Sequence, residues 1–344
     1  MRNILTILSL LCIINSIHNE AYSKDTIDKS YLKYDFNSGE SILFEDNFKY
    51  PKGHTFLENW SLKEGKASLT EQENVKALKI DTYYTKLSPN LFNKKKLPEN
   101  FSIQYDTWLD HGYDGNPGIE IHLLNGDKEV CITPNKHDLS VSFPNDGRTS
   151  KENPSEYFGE NKFYDRWIHI SISYFKKQLK VYLDQYKLID IPDCRIKPNE
   201  ILVTGNSSNG MKILMKNFRV STGFISKIKF DNGKFITRAI NFDVDKAILK
   251  PESITIIKQI KEYLDSNPNI KLLIGGHTDS DGDNNYNLKL SKERAESVKN
   301  QLVEMGILSS RLEAKGFGES SPLDTQKTSL AKALNRRVEF TIIK

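Results

Sequence analysis

The sequence predicts two domains, an all-β sandwich followed by a small α/β sandwich ordered strand, helix, strand, helix, strand, strand. Three observations predict it. Short alternating runs broken by turn residues fill Ile42 to Gly223, and the apolar period changes to a helical one after Asn241. The 344 residues also suffice for two ordinary cores. With 38% hydrophobic and 27% charged residues, the composition is that of a globular protein. The net charge of +4 is small and its cations are interspersed with acids, so nothing marks a nucleic-acid partner.

Taken in order, Met1-Arg2-Asn3 followed by the apolar run Ile4 to Ile17 predicts a secretory signal. Ala21-Tyr22-Ser23 supplies small residues for cleavage, so the signal is expected over 1–23 and the mature chain from near Lys24. The run is too short to span a bilayer, and the mature chain is expected to hold no membrane span. Cys12 follows Leu11, where lipoprotein processing wants a small residue, which argues against lipidation. Residues 24–41 are polar and expected as a lightly ordered lead-in.

The sandwich is expected over 42–223. Its best runs are Phe101 to Asp106, Gly118 to Leu123, Leu139 to Phe143, Trp167 to Tyr174 and Leu179 to Asp184. Asn116-Pro117-Gly118, Asn145-Asp146-Gly147 and the stretch Asn206 to Gly210 punctuate them. A membrane barrel is the rival, but it needs alternating strands of about nine to eleven residues. These runs are shorter and carry charges on both faces, as at Lys176-Lys177 and Asp184. Cys131 and Cys194 lie in strand-like segments; pairing and simple burial both stay open.

A lysine-bearing connector, 224–233, leads into the rear domain, 234–344. Lys234 to Thr237 merges into it, and Ile240-Asn241-Phe242 is expected to end a strand. Pro251 starts a helix with Ile254, Ile257, Ile260 and Leu264 on one face, ending near Asn267-Pro268. Ile270 to Ile274 is a short strand. A second helix is expected from Ser291, as its N-cap, to about Met305, with Gly306 past its end. Leu312 to Phe317 and Val338 to Ile343 are the last strands.

The chemistry gathers in this rear part. Gly275-Gly276-His277-Thr278-Asp279 closes a strand, and an acidic loop follows it. Tyr286-Asn287, Leu290-Ser291-Lys292-Glu293-Arg294-Ala295, Gly316-Phe317-Gly318-Glu319, Pro322 and Asn335-Arg336-Arg337-Val338-Glu339 come next. This order resembles the OmpA-like peptidoglycan-binding family over about a hundred residues, including Phe242-Asp243, Ala247 and Lys250-Pro251-Glu252. The resemblance implies a non-catalytic domain gripping peptidoglycan outside the cytoplasm, in the periplasm or at the outer membrane. It also implies that Asp279 and Arg294 bind the diaminopimelate of stem peptides. Asn287 matches a site-lining asparagine and Arg336 the first arginine of the family's NRR motif. Thr278, Phe242 and Asp243 are expected beside them.

Diaminopimelate ends in an ammonium and a carboxylate on one carbon. Asp279 can accept from the first, and the planar fork of Arg294 matches the second with two hydrogen bonds. With Ser291 as N-cap, Arg294 stands in the first helical turn, where unpaired N–H groups add to the attraction. A plain Asp279–Arg294 bridge is the bland alternative. Arg337 and Glu339 read as structural, and His277 as bonded to the backbone rather than to a metal.

Asp279-Ser280-Asp281-Gly282-Asp283 imitates a calcium loop, but Asn284 and Leu290 stand where glycine and glutamate are required. No nucleophile elbow, zinc-protease helix or phosphate loop occurs, and no Cys or His pair has metal-ligand spacing, so no enzyme, cofactor or metal is expected. Glu120-Ile121-His122-Leu123 lacks the partner acids of a sandwich-type glycosidase.

In the front domain, Ile42 to Phe48 and Val181-Tyr182-Leu183-Asp184 resemble the concanavalin/laminin-G type of jelly roll. That resemblance implies a glycan or envelope-protein partner. Trp60, Trp108 and Trp167 are candidates for sugar stacking, or else buried aromatics. The alternative for the whole chain is a lectin-like adhesin whose rear domain is scaffold only.

Overall fold

Fifteen strands precede residue 224 among the described residues. The first five are β1 (Ser41–Asp46), β2 (Trp60–Glu64), β3 (Ala67–Gln72), β4 (Val75–Ile80) and β5 (Thr85–Pro89). Next come β6 (Phe101–Leu109), β7 (Ile119–Asn125), β8 (Lys128–Pro134), β9 (Asp138–Phe143) and β10 (Gly147–Glu152). The last five are β11 (Trp167–Phe175), β12 (Gln178–Leu183), β13 (Tyr186–Ile191), β14 (Glu200–Gly205) and β15 (Ile213–Thr222). This computed structural model describes residues 35–343 except 92–95, 111–117, 136–137, 144–146, 153–163, 185, 208–210, 225–226 and 244. The expected signal over 1–23, Cys12, the lead-in up to residue 34 and the turns at Asn116-Pro117 and Asn145-Asp146 lie outside the described residues.

The strands form two antiparallel sheets. One runs β13-β12-β11-β6-β15-β4-β3, with β1 also paired to β15; the other runs β10-β9-β8-β7-β14-β5-β2. Period-two alternation explains the core between them. Ile103, Tyr105, Ile170, Ile172 and Val220 from the first sheet meet Ile121, Leu123, Ile132, Val141 and Val203 from the second. β6, β11 and β15 run longer than the sequence predicts, at nine, nine and ten residues, yet the strands form two separate sheets rather than one closed on itself. Trp60 and Trp108 are buried. Trp167 is only partly so, with the Lys216 ammonium 3.9 Å over its ring. Cys131 and Cys194 are both free thiols.

The end of the lead-in is better held than its polarity suggests. Phe36 is fully buried edge-on to Tyr182, and Asp35 pairs with Lys180 at 2.7 Å.

The rear part holds β16 (Lys234–Thr237), α1 (Ser253–Ser266), β17 (Lys271–His277), α2 (Asn284–Glu304), β18 (Leu312–Gly318), α3 (Ser329–Asn335) and β19 (Arg337–Ile343). Its sheet runs β16-β19-β17-β18, with β17 and β18 parallel and the other pairs antiparallel. Ile257, Ile260 and Leu264 of α1 and Val298 and Leu302 of α2 pack on Leu272, Ile274 and Phe340. Ile240 to Phe242 forms no strand; Phe242 makes an isolated bridge to Leu249. The seven-residue α3 was not expected. Thr328 starts it by accepting from the Ala331 N–H at 3.1 Å, and it is too short to show a period.

The described residues of the two parts form one compact unit. The joint is ionic and buried. Lys250 reaches both oxygens of Asp106 on β6 at 3.0 Å, and His169 on β11 sits 2.5 Å from Asp106 and 3.3 Å from Glu252. All four are at least nine-tenths buried. Burial alone would push the His169 imidazole down; the Glu252 charge and the hydrogen bond to Asp106 prevail and hold it at about 9. Arg219 of β15 adds a neutral link across the joint, donating to the Arg238 carbonyl at 2.9 Å.

Candidate functional site

The site begins with glycines. A Cβ on Gly276 of β17 would stand 2.1 Å from the Ser291 carbonyl oxygen, and one on Gly316 of β18 would stand 2.5 Å from the Lys292 amide. Only bare backbone lets α2 lie this close to the strands. That approach brings Asn287 and Arg294, on α2, beside the loop leaving β17, which carries Thr278 and Asp279.

The helix starts earlier than expected. Asp283 is its N-cap, accepting from the amides of Asn285 and Tyr286 at 2.9 and 3.1 Å. Ser291 is therefore not a cap. It is buried mid-helix, accepts from the Gly318 amide at 2.9 Å and donates back to the Leu288 carbonyl. Arg294 stands about three turns in, so no helix N-terminus helps it bind a carboxylate.

Nor do Asp279 and Arg294 pair with each other. One oxygen of Asp279 accepts from the Asp281 amide at 3.0 Å, and the other takes Arg336. The other arm of Arg336 takes Glu45, from β1 of the front sandwich. Arg219 stands 3.5 Å from Glu45, so charges alternate along Arg219, Glu45, Arg336 and Asp279. Burial raises a carboxyl, yet the guanidinium groups of Arg336 and Arg219 outweigh it and hold Glu45 below its ordinary value.

Arg294 donates to the Lys246 carbonyl at 3.0 Å and the Asp243 carbonyl at 3.5 Å, and lies 5.1 Å from the centre of the Phe242 ring. Its Nη1 is uncommitted among the described residues. The Asn287 side-chain NH2 donates to the Asp279 and Asp281 carbonyls and, at 2.6 Å, to Glu319. The Thr278 hydroxyl is buried and has no hydrogen-bond partner among the described residues.

Phe242, Thr278, Asp279, Asn287, Arg294 and Arg336 all line one cavity. Asp243 does not; it contributes its carbonyl to Arg294 and lines a neighbouring hollow with Lys250. The sequence missed the cavity's other wall. Glu45, Asn47 and Lys49 come from the front sandwich, and Lys49 bridges to Asp245 at 2.8 Å. Nothing in the local run around Glu45 identifies a partner almost three hundred residues away.

Around the cavity, Arg337 and Glu339 pair at 2.8 Å while Arg337 also holds the Ser321 carbonyl, a structural arrangement. His277 departs from expectation. It stacks on Phe317 at 4.9 Å and neither ring nitrogen has a hydrogen-bond partner among the described residues. Burial pushes its pKa down to about 4, assisted by Arg337, so it stays neutral. In the acidic loop, Asp283 caps the helix and Asp281 pairs with Lys332 at 2.7 Å.

The fold and the order of the site residues along the chain are those of one family, and the comparisons agree. The OmpA family model matches residues 241–336. Over 103 residues the chain is 41% identical to outer membrane porin F of Pseudomonas fluorescens, covering 30% of this chain and 32% of that protein. It is 30% identical over 161 residues to the outer-membrane lipoprotein YfiB of Pseudomonas aeruginosa, covering 45% of this chain and 87% of that one. It is 32% identical over 103 residues to the peptidoglycan-binding protein ArfA of Mycobacterium bovis, covering 30% of this chain and 32% of that one. This chain belongs to the OmpA family. It spans about a third of the length of the porin F relatives it matches. Like the relatives named for the outer membrane, it is exported, to the periplasm or the outer membrane. Those relatives are porins, lipoproteins and a binding protein by name, not enzymes.

Proposed function

We propose that the cavity binds the free amino-acid end of diaminopimelate in peptidoglycan stems and tethers the chain to the cell wall without covalent attachment. One observation carries the reading: Asp279 and Nη1 of Arg294 share a cavity with the buried hydroxyl of Thr278, and neither that Nη1 nor that hydroxyl has a hydrogen-bond partner among the described residues. A zwitterion needs an acceptor and a donor together, and both signs of charge line this wall. The ammonium takes Asp279, sharing or displacing one arm of Arg336. The carboxylate takes Arg294 and that released arm. A family relative named for peptidoglycan binding, ArfA of Mycobacterium bovis, supports the wall as partner.

The front sandwich then faces a glycan or an envelope protein, carried to the wall by the rear domain. Single-site affinity is modest, and the repeated stems of the polymer hold the chain through effective concentration. Asp279→Ala and Arg294→Ala each remove a charge-assisted contact of about 1.5–3 kcal/mol, or about tenfold to a hundredfold and more. Both variants are expected to stay in the supernatant when wild type co-sediments with purified diaminopimelate-type sacculi. Wild-type sedimentation of both would overturn the assignment. A glycan array probed with full-length Asp279→Ala tests the front partner separately.

A further inference from the structure

The outer face of the second sheet carries a cluster that the wall cavity does not use. Ile119, Ile121 and Leu123 of β7 point into the core, so Glu120 and His122 share the opposite face. Cys131, between core residues Val130 and Ile132 of β8, lies directly across from His122. Thr204 of β14 lies across from Glu120 on the other side.

Three side chains of metal-ligand type converge there, with one ligand atom from each lying within 4.8 Å of the other two. His122 Nε2 is 3.9 Å from Cys131 Sγ and 3.9 Å from Glu120 Oε2, while the other Glu120 oxygen, Oε1, is 3.9 Å from Cys131 Sγ. Tetrahedral zinc, with bonds of about 2.0–2.3 Å, holds such atoms about 3.3–3.6 Å apart. Closing the triangle takes side-chain shifts of roughly an ångström, a small rotation about the side-chain bonds.

The surroundings also fit. The other ring nitrogen of His122, Nδ1, contacts Glu129, the carboxylate–histidine arrangement that aims Nε2 at a metal. With the ring proton on Nδ1, Nε2 is a lone pair. The Thr204 hydroxyl faces both that lone pair, at 2.8 Å, and Glu120 at 3.0 Å, and its single hydrogen can serve only one. Thr133 steadies the other Glu120 oxygen at 2.9 Å. All three ligands are partly exposed, so a cation reaches them from solvent.

We propose that Glu120, His122 and Cys131 form a site for one divalent cation of the zinc class, with water in the fourth position. Burial and the Glu120 charge keep the metal-free Cys131 a thiol, so binding releases its proton to solvent; the resulting thiolate, with imidazole, selects a borderline or soft metal over magnesium or calcium. Spacing along the chain gives no sign of this, because strand register rather than sequence proximity assembles the three. None of them lines the wall cavity, so the site stands whether or not the wall assignment does.

The test is cobalt titration of the purified full chain after chelator treatment. The expected result is one equivalent bound, with a sulfur-to-cobalt charge-transfer band in the near ultraviolet that added zinc abolishes stoichiometrically. Cys131→Ser, nearly isosteric and checked for folding by circular dichroism, loses the band. Cys194→Ser, a buried thiol outside the cluster, keeps it. Glu129→Gln weakens binding about 10–100-fold. Absence of the band in wild type under excess cobalt, or its persistence in Cys131→Ser, would overturn the proposal.

Discussion

Arg336 is held between two carboxylates, Asp279 from its own layer and Glu45 from the front sandwich. The second contact changes what the first can do. Glu45 already takes an N–H of Nη2 and pairs with the charge, so it competes with the carboxylate that the cavity is proposed to take. Glu45→Ala is therefore expected to tighten diaminopimelate severalfold. The same change leaves Arg219 and Arg336 without a shared, largely buried partner, costing about 1–3 kcal/mol of stability. A calorimetric titration and a thermal melt of one variant read both effects, and unchanged affinity would show that Glu45 does not restrain the site. At this scale the sequence was informative for Asp279, Arg294, Asn287, Thr278, Phe242 and Arg336, which converge on one cavity. It was silent on Glu45, because a single acid on a strand carries no mark of a distant partner.

The element that sets the cavity's width is α2, seated on β17 and β18 through glycine. Gly276→Ala would drive a methyl group into the Ser291 carbonyl, which cannot swing away as a side chain would. The helix must shift, at a cost of about 1–3 kcal/mol, and Arg294 shifts with it. The expected outcome is a lower melting temperature together with lost sacculus binding; full binding with a native melt would contradict the packing argument. The strands and the apolar face of α1 were legible because period two and period 3.6 are written directly in residues such as Ile170, Ile172, Ile257 and Ile260. The start of α2 was not, because its opening turns, Asn284 to Lys289, are mostly polar and begin after an acidic loop. Only from Ala295 does the apolar period show, which made Ser291 look like a cap. Two turns of α3 are too few for any period.

Across the whole molecule, the two parts are joined by Asp106, His169, Lys250 and Glu252. His169 is held at about 9 in the folded chain against an ordinary 6.5, so its contribution is present below about pH 6.5 and is lost as pH rises through 9. Facing it, burial lowers Lys216 to about 8 from 10.5, and that group works in the opposite sense above pH 8. Asp106 and Glu252 stay charged throughout, held below their ordinary values, and Lys250 stays protonated. Stability is thus expected to fall by about 2 kcal/mol between about pH 6.5 and 8 and then to level. A series of urea melts checks this, with His169→Gln expected to flatten the slope. In the proposed function both charges of one zwitterion enter the cavity, and free diaminopimelate is the probe for that. Titrated into isotopically labelled protein, it should shift the amide resonances of Thr278, Asp279, Asn287 and Arg294, while Nα-acetyl-lysine amide, whose free end carries an ammonium and no carboxylate, should shift them far less. Equal responses to the two ligands, or shifts confined to the front sandwich, would contradict the claim.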